Sequence, residues 1–172
     1  RLAARIGRGE LPAPEEDFHA DCYLLAEEVL TGAGFAAYEV SNWARRGHES
    51  RHNLAYWLGH DWWGIGPGAH SHVNGVRWWN LRHPRDYTAR LAAGMSPAQA
   101  REVLDAGQRR VERVLLELRL AQGLPLDVLT AAEQARVPSL VSSGVGEVAA
   151  GRLRPTLRGR LLADAVVRDL LD

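Results

Sequence analysis

The run Ser50-Arg51-His52-Asn53-Leu54-Ala55-Tyr56-Trp57 places an imidazole, an amide, a phenol and an indole almost side by side. Such a set can ligate iron, bind propionates and pack against the face of a macrocycle. The same run also reads as a polar turn leading aromatic side chains into a core, and spacing alone does not separate the two. A second segment, Gly64-Ile65-Gly66-Pro67-Gly68-Ala69-His70-Ser71, carries glycine at alternate positions. Glycine lets backbone approach a ligand and leaves amide donors open. The pattern equally suits a tight bend at the end of a sheet. It is no dinucleotide fingerprint: the glycine spacing differs, Pro67 removes an amide, and strand-like sequence follows. His70 and His72 alternate and would share one face of a strand. No third ligand at helical spacing completes a zinc site with them. Glu39 and Asp61 stand alone, with surface or hydrogen-bonding roles expected.

These residues are unevenly distributed. All seven histidines, all six tryptophans and every Tyr and Phe lie between residues 18 and 87. Aromatics and imidazoles recognise planar ligands and do chemistry near neutral pH, so the first half is expected to carry the site. The second half is then structural or regulatory. Hydrophobic content of 46% and charge of 24% are those of a soluble globular protein. A formal net charge of zero gives no global pull towards nucleic acid or anionic membrane. A single cysteine, Cys22, excludes an intramolecular disulfide framework and a multi-cysteine metal site. It falls on the apolar side of a predicted helix and is expected to be buried. No apolar run is long enough for stable membrane insertion, and no signal-peptide pattern is present, so a cytoplasmic piece of a longer chain is expected.

Several elements must position the candidate residues. Residues 1–14 read as a loop, punctuated by Gly7, Gly9, Pro12 and Pro14. Phe18, Cys22, Leu25 and Val29 recur at helical spacing and predict a helix over 17–31 with those residues on its apolar side. Residues 35–40 form a strand candidate, and 54–80 read as extended with a glycine-rich turn. A helix is expected near 84–93. Ser96-Pro97-Ala98-Gln99 reads as a capping box opening a long helix to about Gln122, with Val111, Val114, Leu115 and Leu118 on one face. Leu126 and Leu129 begin another helix, residues 139–150 form a third, and 153–157 a short strand. The last helix is expected to bury Leu161, Leu162, Ala165, Val166 and Leu170. Arg152, Arg154, Arg158 and Arg160 flank the final strand. Glu147, Asp164 and Asp169 offset them, which reads as a solvated face rather than a phosphate-binding wing.

Taken in order, these segments resemble the oxygen-independent coproporphyrinogen III oxidases and their relatives. Gly64 to Ser71 is similar to that family's glycine-rich signature. Tyr38-Glu39-Val40-Ser41-Asn42-Trp43-Ala44, then His52-Asn53 and Tyr56-Trp57, match the run preceding it. Arg110 to Leu120, Gly123-Leu124 and Thr156-Leu157-Arg158-Gly159-Arg160-Leu161 are similar to its C-terminal helical domain. The resemblance spans nearly the whole chain. It implies an α/β plus α fold: residues 1–94 as the C-terminal section of a partial TIM-like (β/α) barrel of the radical SAM type, and 95–172 as a small helical, winged-helix-like domain.

The resemblance also implies a [4Fe–4S] cluster held by three cysteines and cleavage of S-adenosylmethionine (SAM), in a region expected upstream of Arg1. No catalytic residue is then expected in this chain, which is not an enzyme by itself. Within the family, the oxidases read more like Arg-Asn-Phe-Gln-Gly-Tyr and Ser-Ala-Ile-Ser where this chain has His52-Asn53-Leu54-Ala55-Tyr56-Trp57 and Gly68-Ala69-His70-Ser71. Both differences resemble the heme-chaperone branch. The resemblance therefore implies heme binding by His52, Asn53, Tyr56 and Trp57, with His52 the iron ligand. It implies contact with SAM or a tetrapyrrole by Gly64, Gly66, Gly68, Ala69, His70 and Ser71. The implied partners are heme or another tetrapyrrole and a heme-acceptor protein, without nucleic acid. Two other readings remain: oxidative decarboxylation of coproporphyrinogen III, and a winged-helix nucleic-acid-binding module.

Overall fold

A computed structural model describes residues 2–13 and 15–172. Helix α1 (Leu2–Gly7) occupies a stretch expected to be loop; Arg1 and Pro14 lie outside the described residues. Leu2, Ala3, Ala4 and Arg5 are good helix formers, and Gly7 falls only at the last position. Helix α2 (Glu16–Gly32) follows the expected bounds closely but not the expected burial. Phe18, Leu25 and Val29 are about 60% exposed, and Cys22 is exposed too. The helix is held instead by a neighbouring face: Tyr23 donates to the Val40 carbonyl at 2.8 Å, and Glu27 accepts from Trp43 and Arg160. The apolar stripe consequently faces outward.

Strands β1 (Ala36–Glu39) and β2 (Asn42–Ala44) form a hairpin, and α3 (Arg51–Trp57) comes next. The start of the segment read as extended is thus helical. Ser50 caps it by accepting from the Asn53 amide at 3.2 Å, satisfying one of the orphan donors of a helix start. Strands β3 (His70–Val73) and β4 (Val76–Asn80) are joined by Asn74-Gly75, both with positive φ as a two-residue hairpin turn requires. Helix α4 (Pro84–Ala92) is where it was expected.

Strand β5 (Ala98–Val103) replaces the first turns of the expected long helix and pairs with β4. Ser96 accepts only from Ala98, two residues on, so no capping box forms there. The box belongs to Asp105 and Gln108, which open α5 (Ala106–Glu117). Strand β6 (Leu124–Pro125), a 3₁₀ turn over Leu126–Val128, and helices α6 (Ala131–Gln134) and α7 (Val137–Ser142) follow. The helix expected over 139–150 stops at α7 because Gly144 turns the chain at φ 72°. Beyond it, β7 (Gly146–Ala149) pairs with β8 (Arg152–Pro155). The chain ends with α8 (Leu157–Leu161) and α9 (Ala163–Leu171).

Among the described residues all strand pairings are antiparallel, in three small sheets of order β1-β2, β3-β4-β5 and β6-β8-β7. The apolar core sits under the third sheet, where Val114, Leu118, Leu124, Leu140, Leu153, Val166 and Leu170 pack together. The last helix is broken at Leu162, so Leu161 and Leu162 swing to the surface at 36% and 43% exposure, and Val167 is buried where they were expected. Of the arginines expected on a solvated face, Arg158 is exposed, whereas Arg152 and Arg160 are half-buried. Arg152 donates to the carbonyls of Gln122 and Gly123, Arg158 to that of Ser143, and Arg160 reaches α2.

Candidate functional site

Helix α3 presents its chemistry on two sides. On one, the Asn53 amide donates to the Tyr38 hydroxyl at 3.1 Å and to Glu39 at 3.3 Å. Glu39 is 1% exposed and also accepts from the Ser41 amide and the Asn42 side chain. Of its two expected roles, hydrogen bonding holds and surface exposure does not. The run Tyr38 to Asn42 is therefore the clamp that fixes α3, and Asn53 is its point of attachment. Nothing local in the sequence shows this, because Asn53 and Glu39 are 14 residues apart.

On the other side, His52 and Tyr56 lie one helical turn apart and are both exposed. Their ring centroids are 4.9 Å apart in an edge-to-face arrangement. Tyr56 meets Trp62 at 4.7 Å, and Trp62 meets His72 at 5.0 Å, making one aromatic row from α3 to β3. Reciprocal backbone bonds between Trp62 and His72 lock the far end of that row. Trp57 turns away from His52 and Tyr56. It lines a cavity of about 160 Å³ with His72, Arg109, Glu112 and Arg113. Of the four residues expected around heme, the structure brings His52 and Tyr56 together and directs Asn53 and Trp57 elsewhere.

The glycine-rich segment is a pinned bend. The Gly64 amide donates to the Ser71 hydroxyl at 2.9 Å, Gly66 to the Tyr87 hydroxyl at 3.2 Å, and Gly68 to the Leu81 carbonyl at 2.9 Å. Ala69 donates to the Gly66 carbonyl, and the buried Asn80 amide donates to the carbonyls of Gly64 and Gly66. A Cβ on Gly64 would overlap the His70 carbonyl oxygen, which is why glycine is needed there. Tyr87 and Asn80 do this work, and sequence reading had given neither a role. Because these amides are consumed within the fold, a ligand at the bend meets side chains: Trp63 and Ile65, 70% and 86% exposed, and His70, which stacks on Trp79 at 5.8 Å.

His70 and His72 do share strand β3, but their surroundings differ: His70 is exposed and His72 is 7% exposed. Among the described residues no group of three His, Cys, Asp or Glu side chains could hold a metal ion. With a single cysteine, exposed on α2, the residues present do not fit an iron–sulfur cluster. Outside the site, Arg160 ties α8 to α2 through two bonds to Glu27, at 2.6 and 3.0 Å, and one to Tyr23. The hydrogen bond from Arg160 holds the Glu27 carboxyl below its ordinary range, with help from Trp43 and against partial burial. Burial pushes the neighbouring Tyr23 hydroxyl up.

No family model matches the chain. It is 52% identical over 170 residues to the heme chaperone HemW of Mycobacterium tuberculosis (strain ATCC 25618 / H37Rv), covering 99% of this chain and 44% of that one. It is 33% identical over 139 residues to the heme chaperone HemW of Synechocystis, covering 79% of this chain and 34% of that one. It is 41% identical over 133 residues to the mitochondrial radical S-adenosyl methionine domain-containing protein 1 of Mus musculus, covering 74% and 29% respectively. The chain thus spans less than half the length of these relatives. Among solved structures, the radical SAM enzyme coproporphyrinogen III oxidase (HemN) from Escherichia coli matches with a TM-score of 0.67 at 16% identity, over 91% of this chain and 42% of that one. That likeness establishes the fold, a mixture of helix and antiparallel sheet.

Proposed function

Because the chain belongs to the oxygen-independent coproporphyrinogen III oxidase-like radical SAM family, in its heme-chaperone branch, we propose that it is the C-terminal portion of a protein that binds heme and hands it to an acceptor protein. His52 would hold the heme, its imidazole nitrogen having a lone pair to offer the iron. Tyr56 flanks the macrocycle. Asn53 holds α3 in place through Glu39, and Trp57, turned away from this pair, lines the adjoining cavity. One observation carries this reading: the exposed His52–Tyr56 pair stands at the open end of an aromatic row that runs through half-buried Trp62 to buried His72, on a helix clamped from behind. An exposed iron ligand suits transfer, because an incoming ligand from the acceptor can reach the metal while His52 is still bound. A closed pocket would favour retention.

SAM and the [4Fe–4S] cluster belong to the whole protein, where they supply reductive radical chemistry. This chain contributes no cluster ligands. Its bend at Gly64, Gly66, Gly68, Ala69, His70 and Ser71 borders the SAM or tetrapyrrole side. We assign the chain through β5, whose pairing with β4 carries the first unit past residue 94, to the end of a partial (β/α) barrel, and the remainder from Leu104 to a winged-helix-like domain. The order α5, β6, α6, α7, β7, β8 with sheet order β6-β8-β7 supports the second assignment. Nucleic-acid binding is disfavoured there, since Arg152, Arg158 and Arg160 are committed to internal partners. Among the described residues no helix is long and apolar enough to cross a membrane.

The test is heme titration of the whole protein and two variants, with circular dichroism to check folding. His52→Ala should weaken heme binding and change the Soret band, while His70→Ala should leave both nearly unaltered. If His70→Ala loses heme and His52→Ala does not, the ligand assignment fails.

A further inference from the structure

Among the described residues three buried side-chain polar atoms lack a hydrogen-bond partner, Trp57 Nε1, His72 Nε2 and Arg154 Nε, and the first two belong to residues lining the cavity of about 160 Å³ between α3, β3 and α5. An indole N–H can only donate. The His72 ring is oriented by its other nitrogen, since Nδ1 lies 3.2 Å from the His60 carbonyl oxygen. A carbonyl only accepts, so Nδ1 carries the proton of that bond and Nε2 is the atom left for a ligand. Two guanidinium groups, of Arg109 and Arg113, share the lining with Leu58, Gly59 and Leu116. Arg109 donates to the Leu104 carbonyl and Arg113 uses its Nε on Glu117, which leaves each with further N–H donors. The lining also holds a carboxylate, Glu112, but Arg77 already pairs with it while bridging to Glu102. The cavity is thus rich in donors and cations around one neutralised acid.

We propose that this cavity is a carboxylate-binding site, taking either an acidic arm of heme or a free short-chain carboxylic acid. The first source rests on the heme reading above; the second does not. A carboxylate accepts from the Trp57 indole and the Arg109 and Arg113 guanidiniums, and such charge-assisted bonds are the strong ones. His72 Nε2, which has no partner in the structure, belongs to the same lining. The volume admits a group of a few heavy atoms but no macrocycle, so a ring would remain outside. Trp62 separates the two places, touching Tyr56 on one side and His72 on the other.

The experiment uses the full chain labelled with ¹⁵N and titrated with sodium propionate. The Trp57 indole signal, identified by its loss in Trp57→Phe, should shift saturably. In His72→Gln, kept only if its circular dichroism matches the parent, the shift should be largely lost. A second arm compares hemin with its dimethyl ester. Binding of hemin roughly tenfold tighter than the ester, falling to parity in both variants, assigns the heme arm as occupant. Equal binding of the two with an intact propionate response assigns the free acid. A propionate response without any hemin binding sinks the heme reading and leaves the carboxylate site standing. No indole shift, together with equal hemin and ester affinity, overturns the proposal.

Discussion

The two halves of the molecule are stabilised by different kinds of interaction. From Leu104 onward, Val114, Leu118, Leu120, Leu124, Leu153, Val166 and Leu170 are all buried, and most join one apolar cluster. Before Leu104, Ala44 is the buried apolar side chain among the described residues. The other fully enclosed side chains there are polar: Glu39, Ser71, His72 and Asn80. Large apolar groups such as Phe18, Leu25, Val29, Trp63 and Ile65 remain exposed in that half. Burying apolar area is what makes a unit stable by itself, whereas hydrogen bonds mainly fix geometry. The second half is therefore a folding unit and the first half a set of positioned groups.

The most decisive way to break this contrast is to cut the chain. Fragment 104–172 should melt cooperatively by circular dichroism, and 2–103 should show no cooperative transition and should scatter light as it self-associates through its exposed apolar surface. A monomeric 2–103 fragment with a sharp melt would erase the distinction.

Within the second half, Leu118→Ala or Leu124→Ala should cost about 2–5 kcal/mol in urea denaturation of the full chain. Leu162→Ala should cost no more than about 1.5 kcal/mol, since the side chain is already 43% exposed. In the first half the corresponding sensitive point is polar. Glu39→Ala strands the Ser41 N–H and leaves the Asn53 amide only its bond to Tyr38, and should lower hydrogen-exchange protection across α3 by about 1–3 kcal/mol. Unchanged protection would mean that the clamp does not hold the helix.

The smallest effect concerns the link between the halves, and it depends on pH. The Glu27 carboxyl is held below its ordinary value in the folded protein by Arg160. A depressed folded value means the unfolded chain binds the proton more readily. The contribution of Glu27 is therefore complete above the unfolded carboxyl value of about 4.3 and disappears as pH falls through the folded one. Parent and Glu27→Gln should differ by a constant urea midpoint from neutral pH down to about 5, then converge in acid. A difference that persists in acid would assign the stabilisation to something other than the ionised pair.

What the sequence reveals follows the same division. Strands β1 and β8, helix α4 and the inward-facing Val114 and Leu118 were legible because local pattern and tertiary burial agree there. The box at Ser96 was misread because Asp105-Ala106-Gly107-Gln108 offers the same cap spacing nine residues later, and pairing of β5 with β4 decides between them. Helix α3 had a readable cap in Ser50, but its aromatic residues suit strand as well as helix. The candidate site itself was half visible. The pairing of His52 with Tyr56 follows from helical spacing once the helix is known. The outward turn of Phe18 and Val29, the Asn53–Glu39 bond and the role of Asn80 all depend on distant neighbours.

The Arg160–Glu27 pair joins positions 133 residues apart. Closing so long a loop costs chain entropy before any bond is gained, so local and core contacts are expected to form first. The contact would then be absent when the folding barrier is crossed and present only afterwards. Such late contacts govern how long a native structure lasts rather than how fast it is reached. The pair is thus a latch on the finished chain: releasing it should hasten unfolding and leave the folding rate almost untouched.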